Sequence, residues 1–485
     1  MSQRKVGIEI KGRKITVVGL GRSGVGAANV LSELGAIVTV TDKKKEEELK
    51  DFIERLRPSV RLILGNHPED LFVSADMVVV SPGVPLNILP LSKTETKGVP
   101  IIGELELAYQ VISNHRSAIS NQNKFLAVTG TNGKSTTTAL LNFMLERGGF
   151  KTILGGNIGV ALTDEIFKRI GESLKRRNGE GAVDYIVAEV SSFQLESIKD
   201  FRPKEAVILN ITPDHLDRYH SFNEYSDAKA RMFENQMKED FLLVNADDPA
   251  VIRVTHGKLN NKSEKPSVLY FSRKKEVSGV YFKDGKINFN MPQFSVLSSP
   301  FPLIEAHEIK IKGVHNLENA MAASAMAFLA GCSPETVRDS LREFPGLEHR
   351  VEFVRERDGV QYFNDSKGTN IGAVVKSLES FQEPIILIAG GRDKAGDFLY
   401  LRNLVREKVK ALVLIGEASE KIKKALGDIT KTVLARDLKD AVYRSRDIAV
   451  KGDVVLLSPA CASFDMFRDF EDRGRQFKEI VMELS

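Results

Sequence analysis

Short runs of apolar residues alternate with amphipathic stretches along almost the whole of this chain of 485 residues. Runs such as ITVVG and AIVTV have the length of buried strands, and the stretches between them carry apolar residues at helical spacing. This alternation is typical of βαβ units, which build parallel sheets covered by helices. The pattern therefore predicts an α/β fold.

The apolar runs fall into three blocks, and a chain of this length exceeds the usual size of a single core. The first block ends at a polar stretch, Ser113–Lys124, which we interpret as a linker. The second contains FLAVTG, YIVAEV, EAVILN and FLLVN, then a hairpin with Asp-Gly at its turn (SGVYFKDGKINFN) and an Ala-rich helix, Asn316–Ala330. The third holds VEFVRE, VQYFND, PIILIAGG, KALVLIG and VVLLSPA. We predict three domains, at residues 1–118, 119–346 and 347–485.

Composition narrows the class of protein. Apolar content of 42% and charged content of 28% are those of a globular protein, and a net charge of +4 gives no case for nucleic acid. No apolar run is long enough to span a bilayer, and the first residues lack the apolar core of a secretory signal. Cys332 and Cys461 are the only cysteines. We therefore expect a cytoplasmic protein without a disulfide framework or a membrane partner.

The segment KFLAVTGTNGKSTTT, Lys124–Thr138, is the most specific motif. A strand leads into a Gly-containing loop and then into Lys-Ser-Thr at a helix start, a context that cradles phosphates with backbone N–H groups. Lys134 can reach the terminal phosphates, and the Ser135 hydroxyl can hold Mg²⁺. The general pattern has a glycine where this chain has Val128. The segment predicts a P-loop in the second block.

The first block opens with GLGRSG, Gly19–Gly24, after a strand, and Asp42 ends the next strand. This context is typical of a dinucleotide-binding Rossmann domain, and the glycines fit any nucleotide diphosphate, including a UDP-sugar. A nicotinamide oxidoreductase would use this motif but leave the second phosphate loop unexplained. Ser81, Pro82 and Gly83 follow the strand DMVVV and would lie at the same sheet edge.

Two further segments of the second block carry candidate metal ligands. Glu189 ends the strand YIVAEV, and a carboxylate there can hold the Mg²⁺ that bridges nucleotide phosphates. His215 follows a strand in an Asp-His-Leu-Asp loop, and Lys229 lies in the helical segment DAKARM. From the pattern alone, Lys229 is expected on a solvated helix face.

Polar clusters also follow strands in the third block. They are NDSKGTN (364–370), GGRDK (390–394) and SPACASF (458–464). Glu348-His349-Arg350 comes just before the first strand of this block, and HNLEN (315–319) lies at the start of the Ala-rich helix. Polar groups at the ends of successive parallel strands share one edge of a sheet, where ligands bind.

Taken together, TGTNGKST, AEVSSFQLE, ILNITPDHLDRY, HNLEN, NDSKGTN, GGRDK and LSPACASFD resemble the Mur ligase family, the ATP-dependent amide-forming enzymes of peptidoglycan precursor synthesis. The motifs span all three blocks in order. The third block lacks the Asp-Asn-Pro-Arg motif of the diaminopimelate- or lysine-adding members and is most similar to the D-glutamate-adding branch. Arg392 stands where many relatives have a smaller or acidic residue.

The resemblance implies a Rossmann-like N-terminal domain for the UDP-substrate, a central P-loop ATPase domain with a parallel sheet and a smaller β part, and a Rossmann-like C-terminal domain for the amino acid. It implies two Mg²⁺ sites, a carbamylated Lys229, and three small-molecule substrates: ATP, UDP-N-acetylmuramoyl-L-alanine and D-glutamate. We expect a monomer. Four competing functions share parts of this pattern: a different amino-acid-adding Mur ligase, a folate polyglutamylating ligase, a nicotinamide-dependent oxidoreductase, and a non-enzymatic regulator that binds a nucleotide without turnover.

Residue by residue, the resemblance implies four groups of contacts. The catalytic and metal-binding group is Lys134, Ser135, Glu189, His215 and Lys229. The ATP-binding group is Gly130, Thr131, Asn132, Gly133, Lys134, Ser135, Thr136, Asn319, Arg350 and Asp365. The UDP-substrate group is Gly21, Arg22, Ser23, Asp42, Lys43, Ser81, Pro82, Gly83 and Asn157. The D-glutamate group is Thr369, Lys394, Ser463, Phe464 and Phe470.

Overall fold

The computed structural model describes residues 9–114, 124–173, 183–215, 218–291, 300–393 and 396–484. These residues form three sheets with helices packed against them. Contacts divide the chain into two compact units. Unit 1 comprises Met1–Glu308 and Glu318–Arg342, and unit 2 comprises Ile309–Leu317 and Glu343–Ser485. Among the described residues, none of the helices is both long and apolar enough to cross a membrane.

The first sheet has five parallel strands in the order β3-β2-β1-β4-β5. Its strands are β1 (Lys14–Val18), β2 (Ile37–Asp42), β3 (Arg61–Leu64), β4 (Met77–Val80) and β5 (Ile101–Gly103). Its helices are α1 (Arg22–Glu33), α2 (Glu46–Ile53), α3 (Glu69–Val73), α4 (Leu89–Thr96) and α5 (Glu104–Asn114). This is the strand order of a nucleotide-binding α/β domain, whose ligands lie at the carboxyl ends of the strands where the order reverses, beside β1.

The second sheet has nine strands in the order β14-β13-β12-β11-β10-β9-β6-β8-β7. Its strands are β6 (Phe125–Thr129), β7 (Thr152–Gly156), β8 (Tyr185–Glu189), β9 (Glu205–Ile208), β10 (Phe241–Asn245), β11 (Ser267–Ser272), β12 (Gly279–Lys283), β13 (Lys286–Asn290) and β14 (Phe301–Glu305). Its helices are α6 (Lys134–Arg147), α7 (Leu162–Ser173), α8 (Ser192–Leu195), α9 (Phe222–Ala230), α10 (Pro249–Asn260), α11 (Val314–Leu329) and α12 (Pro334–Glu343). Strands β6 to β12 run parallel, and β13 and β14 add an antiparallel part.

The third sheet lies in unit 2 and has the order β15-β16-β20-β17-β18-β19, with only β15 antiparallel. Its strands are β15 (Glu352–Arg357), β16 (Val360–Asn364), β17 (Ile385–Gly390), β18 (Val409–Ile415), β19 (Lys431–Leu434) and β20 (Val454–Leu457). Its helices are α13 (Ile371–Glu379), α14 (Arg402–Lys408), α15 (Ser419–Leu426), α16 (Leu438–Ile448) and α17 (Phe470–Glu483). Short 3-10 turns occupy Arg231–Phe233, Ala306–Glu308 and Phe398–Leu401.

Helix α5 joins the first two sheets into unit 1. The ring of Tyr109 packs against Phe125 and Phe201, with centroids 5.6 Å apart in both pairs. The carboxylate of Glu106, fully buried on the same helix, accepts hydrogen bonds from the backbone N–H groups of residues 199 to 201. A buried carboxylate with several N–H donors is well compensated, so this contact stabilises the junction.

The predicted α/β architecture is confirmed, and so is every strand that the apolar runs predicted. The Asp-Gly hairpin is also confirmed, because Asp284 and Gly285 both adopt the positive φ of a tight hairpin turn, 51° and 79°. The predicted linker start was wrong, since α5 continues through Ser113 to Asn114. Residues 115–123 of that stretch lie outside the described residues. The Ala-rich helix begins two residues earlier than predicted, at Val314.

Candidate active site

The predicted phosphate loop leaves the fully buried strand β6 and enters helix α6 at Lys134. Gly133 precedes the helix with φ 82°, and a Cβ there would collide with the side-chain oxygen of Asn319. Both the backbone conformation and the space therefore require glycine. The Lys134 ammonium folds back over the loop and donates to the carbonyls of Gly130, at 2.9 Å, and Thr131, at 2.8 Å. The loop thus has the strand-turn-helix geometry that binds phosphates.

Neighbouring strands and helices hold this loop in place. The side-chain oxygen of Asn210, after β9, accepts from the Asn132 N–H at 2.8 Å, and its carbonyl accepts from the Thr131 N–H at 2.9 Å. The hydroxyls of Thr131 and Tyr225 are 3.1 Å apart. Asn319 accepts from the Thr137 hydroxyl at 3.2 Å, so this predicted ATP contact lies against the helix that follows the loop.

Lys229 is buried beneath the phosphate loop, with only 2% of its surface exposed. Its ammonium donates to the Gly130 carbonyl at 2.9 Å and lies 4.6 Å from the centre of the Tyr225 ring. The solvated helix face expected from the DAKARM pattern was therefore wrong. Burial, followed by the charge of Lys134, holds the pKa of the Lys229 amine well below its usual range. The negative charges of Asp214 and Glu189 raise this pKa, but they do not outweigh burial and Lys134.

Glu189 ends strand β8, which pairs with β6 beside the phosphate loop. Its carboxylate is buried, and Oε1 accepts a hydrogen bond of 2.6 Å from the Asn157 side-chain amide. Oε2 is buried and has no hydrogen-bond partner within the described residues. An ionised oxygen in that position is unfavourable unless a cation or a donor occupies the space beside it.

His215 adopts a positive φ of 53° and places its ring 4.8 Å from that of Phe193. Its side chain is about half exposed, and Nε2 lies 3.7 Å from Asp214. The described residues contain no cluster of three or more His, Cys, Asp or Glu side chains arranged to hold a metal ion. Glu189 and His215 would therefore need ligands of other kinds, such as the Ser135 hydroxyl or a modified lysine.

A cavity of about 620 Å³ lies in unit 1, at the carboxyl ends of the strands of the first sheet. All nine residues predicted to contact a UDP-substrate line it: Gly21, Arg22, Ser23, Asp42, Lys43, Ser81, Pro82, Gly83 and Asn157. Side chains that sequence reasoning missed also line it: Leu20, Lys44, Leu49, Phe52, His67, Val84, Pro85, Ile88, Ala161 and Gln194. Leu20 and Gln194 belong to the motifs GLGRSG and AEVSSFQLE, whereas the other eight come from segments without a motif.

The turn after β1 is held tightly at the centre of this wall. The Ser81 hydroxyl donates to the Gly19 carbonyl at 2.9 Å, and a Cβ at Gly24 would collide with the same carbonyl. The Asp42 carboxylate accepts from the N–H groups of Leu20, at 2.7 Å, and Lys44, at 2.9 Å. The turn leads directly into helix α1, so its backbone N–H groups and the helix N-terminus favour an anionic ligand.

In unit 2, Asp365 follows strand β16 and is 5% exposed. Its Oδ2 accepts hydrogen bonds of 2.6 Å from the hydroxyls of Ser377 and Ser458. Burial raises the pKa of this carboxyl to about 6, although both hydroxyls and the charge of Arg350 oppose the shift.

Four of the five predicted amino-acid contacts, Thr369, Ser463, Phe464 and Phe470, lie in segments that Arg473 joins. This guanidinium is fully buried and donates to the Ser366 hydroxyl at 2.9 Å, to the Ser366 carbonyl at 2.8 Å and to the Cys461 carbonyl at 3.4 Å. Thr369 lies shortly after Ser366 in the chain, and Ser463 and Phe464 lie shortly after Cys461. Phe470 begins the helix that carries Arg473. Sequence reasoning missed Arg473, because an arginine in a mostly polar helix carries no motif.

The GGRDK segment contains two residues that the sequence analysis singled out, Arg392 and Lys394. Lys394 lies outside the described residues. Arg392 forms an ion pair of 3.0 Å with Glu417, and both side chains are about half exposed. Its backbone pairs with Ala462 in an isolated bridge. Arg392 therefore joins its loop to two neighbouring segments.

Comparison with known proteins agrees with this geometry. Sequence profiles match in three places: the N-terminal domain of MurD-like Mur ligases at residues 13–103, the Mur ligase middle domain at 128–327, and the Mur ligase glutamate ligase domain at 349–461. The UDP-N-acetylmuramoylalanine--D-glutamate ligase of Geotalea daltonii is 45% identical over 99% of both chains. The enzyme of the same name from Caldanaerobacter subterraneus is 42% identical over 98% of this chain and 100% of the relative.

Solved structures share the fold at lower identity. The pseudomurein peptide ligase type C from Methanothermus fervidus superimposes with a TM-score of 0.58 at 19% identity, over 98% of this chain and 100% of that one. The MurF ligase from Thermotoga maritima in complex with ADP superimposes with a TM-score of 0.57 at 16% identity, over 98% and 96%. With three matched domains and near full-length relatives above 40% identity, this chain belongs to the Mur ligase family.

Proposed function

We propose that this chain is an ATP-dependent ligase that joins D-glutamate to UDP-N-acetylmuramoyl-L-alanine in peptidoglycan precursor synthesis. One observation carries the proposal. The cavity lined by all nine predicted UDP-substrate residues is linked, through the hydrogen bond from Asn157 to Glu189, to the strand beside the phosphate loop. The near full-length relatives that bear this enzyme's name support the choice of substrates.

ATP is assigned to the loop after β6. Gly130, Thr131, Asn132 and Gly133, followed by Lys134, Ser135 and Thr136, would surround the phosphates. The N–H groups of Thr131 and Asn132 donate to Asn210, so these two residues would shape the loop around the ligand. Lys134 now donates to two loop carbonyls, and a γ-phosphate would compete for the same ammonium. Asn319, beside Gly133, is a third part of this proposed site, and Arg350 and Asp365 of unit 2 remain predicted ATP contacts.

The first cavity is assigned to the UDP-substrate. Its volume of about 620 Å³ is in the range of sites for small organic ligands. The turn at Gly21, Arg22 and Ser23 would face the diphosphate, because the N-terminus of α1 favours anions. Since a separate phosphate loop serves ATP, a dinucleotide in this cavity has no part in the proposed reaction.

Magnesium ions are the inferred cofactors of the ATP site. The orphaned Oε2 of Glu189 fits a cation, and Ser135, His215 and a carbamylated Lys229 would complete two sites. When bound, Mg²⁺ would neutralise charge on the phosphates. An ammonium group at Lys229 would repel a metal ion and is disfavoured by burial beside Lys134. A carbamate converts this side chain into a carboxylate-like oxygen ligand.

The proposed chemistry has two steps. The carboxylate of the L-alanyl residue attacks the γ-phosphorus of ATP, the bond to the β-phosphate oxygen breaks, and an acyl phosphate and ADP form. The amine of D-glutamate then attacks the acyl carbon, the carbon–oxygen bond breaks, and phosphate leaves as the amine loses a proton. Positioning and charge neutralisation dominate such reactions. Lys134 would offset the repulsion between the two anionic reactants.

The amino acid is assigned to unit 2. Thr369, Ser463, Phe464 and Phe470 are its proposed contacts, and Lys394 would pair with a glutamate carboxylate. The buried guanidinium of Arg473 supports this choice, because it holds the loops that carry these residues and adds positive potential near them. A monomer in the cytoplasm remains our prediction for the state and location of the protein.

Omission of single substrates tests the proposal. Steady-state phosphate release is measured with ATP, UDP-N-acetylmuramoyl-L-alanine and D-glutamate, and then with each substrate left out in turn. We expect full release only with all three, and a new amide product by mass spectrometry. L-glutamate serves as the matched control and should not replace the D-isomer. Release that ignores the UDP-substrate or D-glutamate would refute the proposal.

A further inference from the structure

The first sheet places chemically different residues on the two sides of the cavity. The order β3-β2-β1-β4-β5 places Asp42, at the end of β2, and His67, after β3, on one side of the turn at Gly21. Ser81 lies on the other side, after β4. The middle-domain residue Asn157 also lines the cavity, and its amide contacts Glu189 beside the phosphate loop.

This arrangement orients a nucleotide-sugar in the cavity. The reacting carboxylate of the substrate must approach ATP, so its end of the molecule lies at Asn157. The diphosphate would lie at the N-terminus of α1, between the carboxylate and the base. The base would therefore lie on the side of the cavity away from Asn157, which is formed by Asp42, Lys43, Lys44 and His67. Leu49 and Phe52 supply apolar surface to the same cavity. This inference rests on the proposed use of the cavity for a uridine diphosphate substrate.

The hydrogen bonds of Thr41 determine which nitrogen of His67 carries the proton. The Thr41 hydroxyl donates its single proton to the Asn66 carbonyl at 2.8 Å. Its oxygen lies 3.1 Å from His67 Nδ1 and can therefore only accept there, so Nδ1 bears the hydrogen. Nε2 of a neutral ring is then an acceptor, and no residue in the described ranges donates to it. Burial and the nearby charge of Lys43 lower the pKa of this imidazole, against the opposing charge of Asp42.

We propose that His67 is a specificity-determining residue, whose Nε2 accepts a hydrogen bond from the N3–H of the uracil base. Uracil carries a donor at N3 between two carbonyl acceptors, whereas cytosine presents an acceptor at N3. A fixed acceptor in the protein therefore attracts uracil and repels cytosine, and the ammonium groups of Lys43 and Lys44 suit the carbonyls. The edge-to-face contact of His67 with Phe72, with centroids 6.2 Å apart, helps to fix the ring.

Titration calorimetry on the full-length chain tests this role with UDP, CDP and N3-methyl-UDP. The wild type should bind UDP at least tenfold more tightly than the other two. His67→Phe keeps an aromatic ring without nitrogen atoms and should weaken UDP binding about tenfold, the effect of one lost hydrogen bond. N3-methyl-UDP has no proton to donate, so its affinity should change less than twofold. His67→Gln retains an acceptor and should recover part of the UDP affinity.

The controls separate the possible failures. His256→Gln, on the exposed face of α10, should leave every affinity unchanged. ADP binding reports that each variant is folded around its phosphate loop. If His67→Phe keeps the wild-type ratio of UDP to N3-methyl-UDP affinity, the role of His67 is refuted while the proposed function stands. If the wild type binds ADP but not UDP, the assignment of the cavity to a uridine diphosphate substrate is refuted. The proposed role of His67 is then refuted as well.

Discussion

The side-chain amide of Asn157 donates a hydrogen bond of 2.6 Å to Oε1 of Glu189. Asn157 lines the cavity of the first sheet, and Glu189 ends the strand beside the phosphate loop. The contact occupies one carboxylate oxygen and leaves Oε2 buried without a partner among the described residues. A single pair thus joins the two proposed substrate sites of unit 1 and orients the carboxylate that we assign to the metal.

Replacing Asn157 should therefore impair turnover more than ATP binding. Asn157→Leu keeps the branched shape of the side chain but has no donor, so Glu189 loses the contact that fixes its orientation. We expect kcat to fall about 10- to 100-fold, as is usual when the partner of a metal ligand is removed. Steady-state phosphate release measures kcat and the KM for ATP separately. A kcat within twofold of the wild type would show that the hydrogen bond has no catalytic role.

Lys134 is the cation expected to meet the γ-phosphate. Lys134→Ala should lower phosphate release by several orders of magnitude, because phosphoryl transfer depends on charge neutralisation at the transferred group. Lys151→Ala removes an exposed lysine from the same domain and is the matched control. Both variants should unfold at the wild-type temperature. Normal turnover in folded Lys134→Ala would exclude this loop as the ATP site.

Lys229 should carry a carbamate in the active enzyme. Lys229→Ala should be nearly inactive, and short carboxylic acids that fill the vacated space should restore part of the rate. The same acids should not rescue Lys134→Ala, which loses a positive charge and not an oxygen ligand. Carbon NMR with labelled carbon dioxide detects the modification directly in the wild type. A bare amine in the substrate-bound, active enzyme would contradict this assignment.

The raised pKa of Asp365 predicts that the stability of the protein depends on pH. Its folded pKa, about 6, exceeds the ordinary value of 3.8, so the folded state retains a proton that the unfolded state has lost. Its contribution to the free energy of unfolding therefore decreases as the pH rises from about 4 to about 6. Relative to the wild type, Asp365→Asn should gain roughly 2–3 kcal/mol across that window. Urea titrations of both proteins at several pH values measure the difference. A constant difference would show that this carboxyl is not perturbed.

Motifs in the sequence predicted the strands and helices that hold the phosphate loop and the turn after β1. Glycine positions and apolar strands made this possible, because both have strong local signals in the sequence. Two of the strands that the pattern missed had weak ones. β7 (TILGG) contains two glycines, and β19 (KTVL) is a partly exposed edge strand. Long-range packing set the remaining features. Lys229 was expected in solvent because its neighbours in sequence are polar, yet it reaches under the loop to the Gly130 carbonyl.

Residues without a motif were the least predictable part of the site. His67 and Phe52 reach the cavity through the order of the strands, which the local pattern does not encode. Arg473 lies in a helix whose sequence, FEDRGRQFKEIVME, is mostly polar. Its burial is compensated by the carbonyl of Cys461, 12 residues away, and by the carbonyl of Ser366, 107 residues away, which no local pattern reveals.

Transfer of an oxygen isotope tests the central claim most directly. UDP-N-acetylmuramoyl-L-alanine is labelled with ¹⁸O in the alanyl carboxylate and converted with ATP and D-glutamate, and the released phosphate is analysed by mass spectrometry. Attack of the carboxylate on the γ-phosphorus, followed by amine attack on the acyl carbon, requires one labelled oxygen to leave with each phosphate. We therefore predict one ¹⁸O in the phosphate for every amide formed. Amide formation with unlabelled phosphate would contradict the acyl-phosphate reaction and the proposed roles of the residues that serve it.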